Sequence, residues 1–541
     1  MKNLKTICIT LAMSIAACGG EEADVEHLGI PSWEDYKSAA EGHWEGETFY
    51  RIEGDLPVTL EQLRTHYDWL VAQEKAERGL GSYWDVAARR HKVTVAVDGS
   101  GNDRVWSATD AQNLTYCVSN DFGADKTRVI NEMRLATGQW EAHANVDFIY
   151  LSQYDGSCTD SNTNVKFVVR PWNQGGACAF FPPSGSSCPG DRNLWINLND
   201  IDTNSGYGNV DTVGVFRHEL GHILGLRHEH IRASNPGRCT ESAGRAVTDY
   251  DNKSVMHYPW CPGGDESVDL ALTPRDAHGI ALLYPGLRKV AFRTGNGRFF
   301  RAVDAGGGNV RADAGHVDVH EVFSVKTLNG GKIGLRTHDG YFWRAHVGGG
   351  HGLFADVQHT GSHERFEIVP RSNGKVALQT HYDYYVVAEG NGGGEANANR
   401  TRIGGWEQFD LVELNGELIS LTAWNGKNLW AVSGGHSTVR ADRTHLGFHE
   451  KHRLVRIGSN QVAIRTDDGT YLRAESGGGA SVRADQWRID DHEIFTLIEN
   501  SDGTVSFRTH NGQYLTVEAD EILDAHSTSI GAREKFTLTY L

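Results

Sequence analysis

The sequence predicts a multidomain protein in which an α+β domain is followed by an all-β, repetitive half. Three observations carry this reading. The chain has 541 residues, far more than one hydrophobic core usually supports. Between about residues 96 and 285, apolar patterns of period two alternate with patterns of period 3.6. Beyond that point the chain becomes rich in Gly and in short aromatic or branched runs, and it repeats itself every 43 residues.

At the start, Lys2 and Lys5 precede an apolar run from Ile7 to Ala17. That run is too short to span a bilayer but has the length of a signal-peptide core, so export is expected. Ile15-Ala16-Ala17-Cys18, followed by Gly19 and Gly20, resembles a bacterial lipobox. The resemblance implies a lipoprotein-type signal peptide over 1–18 and lipidation of Cys18; an ordinary signal peptide with an incidental cysteine is the other reading. Residues 19–95 are polar and charged. They hold one expected helix, Leu60 to Arg78, opened by Thr59 and Gln62 as a capping box and stopped by Gly79.

In the central segment Leu114 to Ser119 reads as a strand, Lys126 to Ala142 as an amphipathic helix, and Val146 to Leu151, Val165 to Val169 and Leu194 to Leu198 as strands. A helix is expected from about Asp211 through His222, and another from Pro274 to Leu283 with Thr273 as its N-cap. Pro285-Gly286 closes the domain, placed at 96–286. Of the eight cysteines, Cys117, Cys158, Cys178, Cys188, Cys239 and Cys261 lie in this middle segment. An even, clustered set in an exported chain reads as disulfides, with Cys178–Cys188 and Cys239–Cys261 expected as local staples. No C-x-x-C pair supports a cysteine metal site.

In the last half, Phe292, Leu335, Leu378, Leu421, Ile464 and Phe507 open strands at the 43-residue step. Glu321, Glu364, Glu407, Glu450 and Glu493 keep the same step, and Glu534 comes two residues early. Six such units could form a six-bladed propeller, but no Trp-Asp signature occurs in this half. The wording of Val376 to Thr380, Ile464 to Glu475 and Trp406-Glu407-Gln408-Phe409 resembles the repeats of fascin-like β-trefoil domains. A trefoil uses three units, so the resemblance implies two trefoils, 289–414 and 415–541.

Residues 218 to 228 fit H-E-x-x-H-x-x-G-x-x-H at every fixed position. On a helix His218 and His222 face the same way, so both imidazoles can reach one metal ion with Glu219 beside them. Gly225 can take the backbone angles of a sharp reversal, which brings in His228 as third ligand and leaves a fourth position open for water. Downstream, Ser254-Val255-Met256-His257-Tyr258 resembles the Met-turn of the metzincin zinc proteases, in the wording of the astacins. Glu229 and Arg232 keep the astacin H-E-x-x-R spacing, whereas Leu226 and Ser234-Asn235-Pro236 depart from that family, as in a divergent bacterial relative.

The resemblance implies a secreted zinc endopeptidase of metzincin fold holding one catalytic Zn2+ on His218, His222 and His228. Met256 would pack beneath the metal and Tyr258 would stabilise the oxyanion. Zinc-activated water would attack the peptide carbonyl, with Glu219 as proton carrier. Ile52-Glu53-Gly54-Asp55-Leu56 resembles the inhibitory element of astacin pro-segments, which implies that 19–95 is a pro-segment and Asp55 an inhibitory zinc ligand; a plain Gly-Asp turn is the alternative. Cleavage between Ala87 and Arg104, with Arg89-Arg90 the expected bond, would free the enzyme and also release a lipid-anchored protein from its membrane.

The expected partners are a protein or peptide substrate and, for the trefoils, a glycan, matrix or cell-surface ligand; actin bundling is the weaker alternative for these modules. An excess of 70 acidic over 52 basic residues, a formal charge of −18, argues against nucleic acid or an anionic membrane as partner, leaving the lipid anchor as the only membrane contact. The expected location is a bacterial outer membrane or cell surface, with release after processing. From a different class, the chain could be an adhesin with a vestigial protease domain, against which the intact ligands, Glu219 and Tyr258 speak.

Overall fold

The structure, a computed structural model, describes residues 32–44, 47–52, 56–58, 60, 63–64, 67, 94–97, 101–173, 176–182, 190, 192–203, 210–230, 244–248, 250–259, 264, 269–432, 435, 437–447 and 449–541. Cys18, Asp55, Arg89, Arg90, Arg232, Cys188, Cys239 and Cys261 lie outside the described residues, as does most of the helix expected at 60–78. The chain divides into two compact units, one of Met1–Glu132 with Phe148–Thr273 and one of Met133–Asp147 with Pro274–Leu541.

The first unit opens with α1 (Trp33–Ala40) and an antiparallel sheet of β1 (Glu41–Trp44), β2 (Glu47–Ile52) and β3 (Leu56–Val58), none of which the sequence reading anticipated. Then come β4 (Thr94–Ala96), α2 (Ala108–Ala111), β5 (Leu114–Val118), α3 (Lys126–His143), β6 (Phe148–Tyr150), β7 (Phe167–Pro171), β8 (Ala177–Ala179) and β9 (Asn193–Ile196). After these follow α4 (Leu198–Thr203), α5 (Thr212–Ile223) and β10 (Gly244–Ala246), and α6 (Pro274–Leu283) begins the main run of the second unit.

A mixed five-stranded sheet runs in the order β6-β5-β7-β9-β8, with β6, β5, β7 and β9 parallel and β8 antiparallel to β9. Parallel strands are covered on both faces, which is why Phe167, Val168 and Val169 in β7 and Leu194, Trp195 and Ile196 in β9 form unbroken apolar runs, all buried. In α3 the buried Val129, Met133, Ala136 and Trp140 fall at the alternating four- and three-residue spacing of one helix face. Cys117 on β5 is bonded to Cys158, and Cys178 on β8 is also disulfide-bonded.

In the second unit, twelve strands from Lys289–Arg293 to Asp410–Glu413 form one sheet and twelve from Glu417–Thr422 to Thr537–Tyr540 form another. Each sheet closes on itself, because its first strand pairs antiparallel with its last. The protein is therefore multidomain and strongly β-rich, with two barrel-like sheets and few helices. Phe292, Leu335 and Leu378 are buried in one barrel core, and Leu421, Ile464 and Phe507 in the other.

The recurrent glutamate has a local reason. In each of the six units its Oε2 accepts a backbone N–H from three residues earlier, at 2.6–2.9 Å, from Asp318, Gly361, Gly404, Gly447, Asp490 and Gly531 in turn. A buried turn amide that no strand can satisfy is thereby paired. The two barrels meet where Val317 and Ile489 exchange both backbone hydrogen bonds at 2.8 Å, inside an apolar cluster with Ala291, Phe299, Val412 and Tyr471.

Candidate metal centre

The helix α5 carries the first half of the centre, and its placement is fixed at both ends. Asp211 is its N-cap, accepting the Gly214 N–H at 2.7 Å. Arg128 of α3 holds the first turn, with Nη1 and Nη2 on Asp202 at 2.6 and 2.8 Å and Nη2 on the Thr212 hydroxyl at 2.7 Å. At the other end the Trp106 indole donates to Ile223 O at 2.7 Å. Nearly every residue of α5 is buried, its polar Arg217, His218, Glu219 and His222 included.

Gly225 terminates α5 with φ +94°, and a Cβ there would sit 2.2 Å from Arg104 O, so both conformation and space require glycine. The chain then runs beside β4: Ala96 N donates to Gly225 O at 2.8 Å and Arg227 N to Thr94 O at 2.7 Å. That short pairing sets the direction in which His228 enters.

The ligand atoms of His218, His222 and His228 all lie within 4.8 Å of one another, and all three side chains are buried. Two of the rings are oriented by backbone carbonyls. His218 Nδ1 lies 2.8 Å from Val255 O, and His222 Nδ1 lies 2.8 Å from Leu226 O. A carbonyl can only accept, so each Nδ1 carries its hydrogen and each Nε2 keeps the lone pair a metal needs. His218 Nε2 and His228 Nε2 are 3.1 Å apart. Two imidazole ligands of a tetrahedral zinc, at ~2.0–2.1 Å each, stand about 3.3 Å apart, so donor type and spacing fit that ion.

Met256 and Tyr258 lie in the tight turn that follows. Ser254 builds it, accepting Met256 N at its hydroxyl (3.0 Å) and His257 N at its carbonyl (2.9 Å). Glu229 ties the turn to the helix exit, with its N–H on Met256 O at 2.7 Å and its Oε1 accepting Asp251 N at 3.1 Å. The Tyr258 ring lies 4.6 Å from that of His228 and 5.3 Å from that of His218. Glu219 is buried one residue beyond His218. The structure thus brings together His218, His222, His228, Met256 and Tyr258 around the C-terminal half of α5.

Three further residues belong to the surroundings, and the sequence assigned a role to none of them. His230 is fully buried, stacks between His228 and Tyr258 with ring centroids 4.6 Å from each, and accepts Tyr258 N at Nδ1 (3.2 Å). His257 bridges the Tyr250 hydroxyl at Nε2 (2.9 Å) and Tyr258 O at Nδ1 (2.9 Å), and burial lowers its pKa. Phe181 meets the His222 ring edge-on at 5.2 Å and packs with Leu63 and Ala96. The recurring histidine in His228-Glu229-His230 was the visible signal for the first of these.

Comparison with known proteins gives distant, partial similarity. The chain is 26% identical over 167 residues to "Bone morphogenetic protein 1" of Xenopus laevis, covering 27% of this chain and 20% of that protein. It is 24% identical over 204 residues to "Tolloid-like protein 1" of Homo sapiens (34% and 17% covered), and 24% over 196 residues to "Dorsal-ventral patterning protein tolloid" of Drosophila melanogaster (36% and 15% covered). The chain therefore spans a fifth or less of the length of these relatives. A family described as a domain of unknown function (DUF7910) matches residues 414–537. Among solved structures, a designed 3-fold symmetric protein, ThreeFoil, aligns at 24% identity and TM-score 0.22, over 23% of this chain and 99% of its own. A mosquitocidal holotoxin aligns at 9% identity and TM-score 0.28, over 56% of this chain and 37% of its own. Among the described residues no helix is long and apolar enough to cross a membrane.

Proposed function

We propose that this chain is an exported, zinc-dependent endopeptidase of the astacin-like metzincin type, hydrolysing peptide bonds of extracellular proteins. The observation that carries the reading is the convergence of three buried imidazoles, two of them oriented so that Nε2 keeps its lone pair. The distant similarity to tolloid and bone morphogenetic proteins agrees with a protease-related chain. His218, His222 and His228 would hold one Zn2+, which when bound supplies Lewis acidity to a water molecule and to the scissile carbonyl.

The remaining work falls to the protein's own groups. Glu219, adjacent in sequence to the first ligand, takes the proton of the attacking water and returns it to the leaving amine. The Tyr258 hydroxyl donates a hydrogen bond to the oxygen that becomes negative as the carbonyl is attacked. Met256 forms the packed floor of the turn on which Tyr258 is carried. Water is the nucleophile, so no acyl-enzyme forms.

In this reading 1–18 is a leader lipidated at Cys18, 19–95 a pro-segment with Asp55 as inhibitory ligand, and 96–286 the catalytic domain. The packing of Leu63 with Phe181, which itself meets His222, supports a pro-segment lying near the centre. Residues 289–414 and 415–541 are two trefoils that hold the enzyme on a glycan, matrix or cell surface; the six repeats and two self-closing sheets support this.

The test is zinc content and casein hydrolysis of protein starting near residue 96, beside the same protein with Glu219→Ala. Hydrolysis lost in the variant while about one zinc per chain is retained supports metal, base and activity together. Folded protein that binds zinc and hydrolyses no peptide bond would sink the protease reading in favour of an adhesin.

A further inference from the structure

Within the second unit, Asn415 sits where the two barrels join. Its Oδ1 accepts the backbone N–H of Lys289 at 2.8 Å and its Nδ2 donates to Leu287 O at 2.9 Å. Its own carbonyl is approached by two guanidinium groups, Arg453 Nη1 at 3.4 Å and Arg465 Nη2 at 3.4 Å. Arg453 and Arg465 are direct partners across the antiparallel strands His452–Arg456 and Gln461–Arg465. Like charges in that position repel one another.

Among the described residues no carboxylate lies within salt-bridge distance of either guanidinium or of Lys289 Nζ, although many other arginines of these barrels are ion-paired. Arg453 spends one nitrogen on the Asn415 and Gly416 carbonyls, the latter at 3.5 Å, and Arg465 reaches the Tyr471 hydroxyl as well. Among the described residues most of the ten N–H donors of the pair meet no acceptor. Among the described residues Lys289 Nζ has one hydrogen-bond partner, His143 Nδ1 at 3.4 Å. The other charged or titratable groups around them are His278, which faces the Asp467 backbone, His338 beside His143, and Asp467, whose charge offsets part of this excess.

We propose that Lys289, Arg453 and Arg465 form a binding site for a tetrahedral oxyanion of the sulfate or phosphate class. The site opens to solvent at Arg453, which is exposed, while Arg465 is half-buried and the Lys289 ammonium lies deepest. Two guanidinium groups converge on one neutral carbonyl, and the same asparagine holds Lys289 through its backbone N–H, in a chain whose formal charge is −18; a doubly charged anion would satisfy donors left unpaired among the described residues. Burial and the Arg465 charge push Lys289 down to about 8, and the same two causes lower Arg453, which is the signature of a positive site without its counter-charge. The site is remote in sequence from the zinc ligands and stands whether or not the protease reading does.

The experiment is calorimetric titration of the full chain with sodium sulfate and with sodium phosphate at constant ionic strength, chloride making up the balance. One saturable site is expected, weakened about tenfold or more by Arg465→Gln and by Lys289→Met. Arg371→Gln, at an exposed position outside the cluster, should leave it unchanged. In oxyanion-free buffer Arg465→Gln should leave Tm unchanged or raise it, because it removes a repulsion, whereas an arginine with a purely structural role would lower it. Displacement of sulfate by dextran sulfate would identify the ligand as an ester on a polymer, and absence of displacement a free ion. No saturable heat, or equal affinity in the Arg465→Gln and Lys289→Met proteins, would overturn the proposal.

Discussion

The ring of His230 lies against the ring of His228, centroids 4.6 Å apart and planes 21° from parallel, while His230 Nδ1 accepts the backbone N–H of Tyr258 at 3.2 Å. One side chain therefore touches both a proposed zinc ligand and the backbone of the proposed oxyanion donor. His230→Phe should keep the stack and lose the acceptor; His230→Ala should lose both. The expected result is zinc affinity close to that of the parent in the Phe variant with kcat lowered about tenfold, and zinc affinity itself lowered about tenfold or more in the Ala variant. Zinc titration and peptide hydrolysis on the same samples separate the two effects, and equal affinities in all three proteins would remove His230 from the support of the ligand.

Metal removal follows from the spacing of the rings. His218 Nε2 and His228 Nε2 stand 3.1 Å apart, so with the His218 hydrogen on Nδ1 the space between them is filled by either a His228 N–H or a cation. A ligand that binds only the folded form stabilises it by ~2.7 kcal/mol at a concentration 100 times its Kd. For a unit of roughly 200 residues this is about 5–10 °C in Tm. Chelation with phenanthroline should lower one thermal transition by that amount and stop hydrolysis, with both restored by zinc. Scanning calorimetry with and without chelator is the check; an unmoved transition would mean that the three histidines hold no ion.

Gly225→Ala tests the turn that brings His228 to the other two histidines. The backbone there has φ +94°, and an added Cβ would collide with the Arg104 carbonyl, which is backbone and cannot swing aside. Strain and clash together should cost ~3 kcal/mol or more. Urea unfolding followed by tryptophan fluorescence would show it, since Trp106 caps the same helix at Ile223 O. A change below about 1 kcal/mol would imply that the turn relaxes without consequence.

What the sequence disclosed about this centre was the part with local spacing. His218 and His222 four apart on one helix, Gly225 three beyond and His228 three beyond that were legible, because each step is a few residues of regular or sharply turned backbone. The strand placements at 114–118 and 193–196 followed from apolar runs, whereas β8, the three residues Ala177–Ala179, is too short to show a period. The carbonyls that orient the ligand rings were not legible. Val255 O reaches His218 across 37 residues, and nothing about valine announces that its backbone will be used. The same holds for Phe181 against His222. The 43-residue recurrence of glutamate was plain, but its reason, a carboxylate pairing the turn amide three residues back, lies in the folded shape of each turn.

Trp343 offers a test of the first barrel core. It is fully buried among Phe292, Phe300, Phe323 and Phe366, and its indole N–H meets no acceptor among the described residues. Trp343→Phe removes an unpaired donor, whose burial costs roughly 1–3 kcal/mol, while losing some packing. The two should nearly cancel, leaving a net change within about 1 kcal/mol, whereas Trp343→Ala should cost ~3–5 kcal/mol. Chemical denaturation of the two variants decides this, and a Phe variant as damaged as the Ala variant would show that the N–H is satisfied in solution.

The remaining prediction concerns pH. Glu321 and Glu493 are the two of the six recurrent glutamates whose turn amide comes from an aspartate, Asp318 and Asp490, and each sits four residues after a member of the Val317–Ile489 bridge. Burial first, and the neighbouring aspartate as well, push both carboxyls up to about 7 from the usual 4.5. Arg301 opposes the shift at Glu321, and Arg473 and Arg488 oppose it at Glu493. Because the folded pKa lies above the unfolded one, the folded state holds more protons between about 4.5 and 7, and unfolding there releases them. The stability these two groups contribute is thus fully present below about 4.5 and is lost as pH rises through about 7. Glutamine imitates the protonated carboxyl, so Glu321→Gln with Glu493→Gln should flatten the fall in urea midpoint between pH 5 and 8 and raise stability at pH 8. A parallel fall in parent and double variant would show that these carboxyls ionise alike in the folded and unfolded chain.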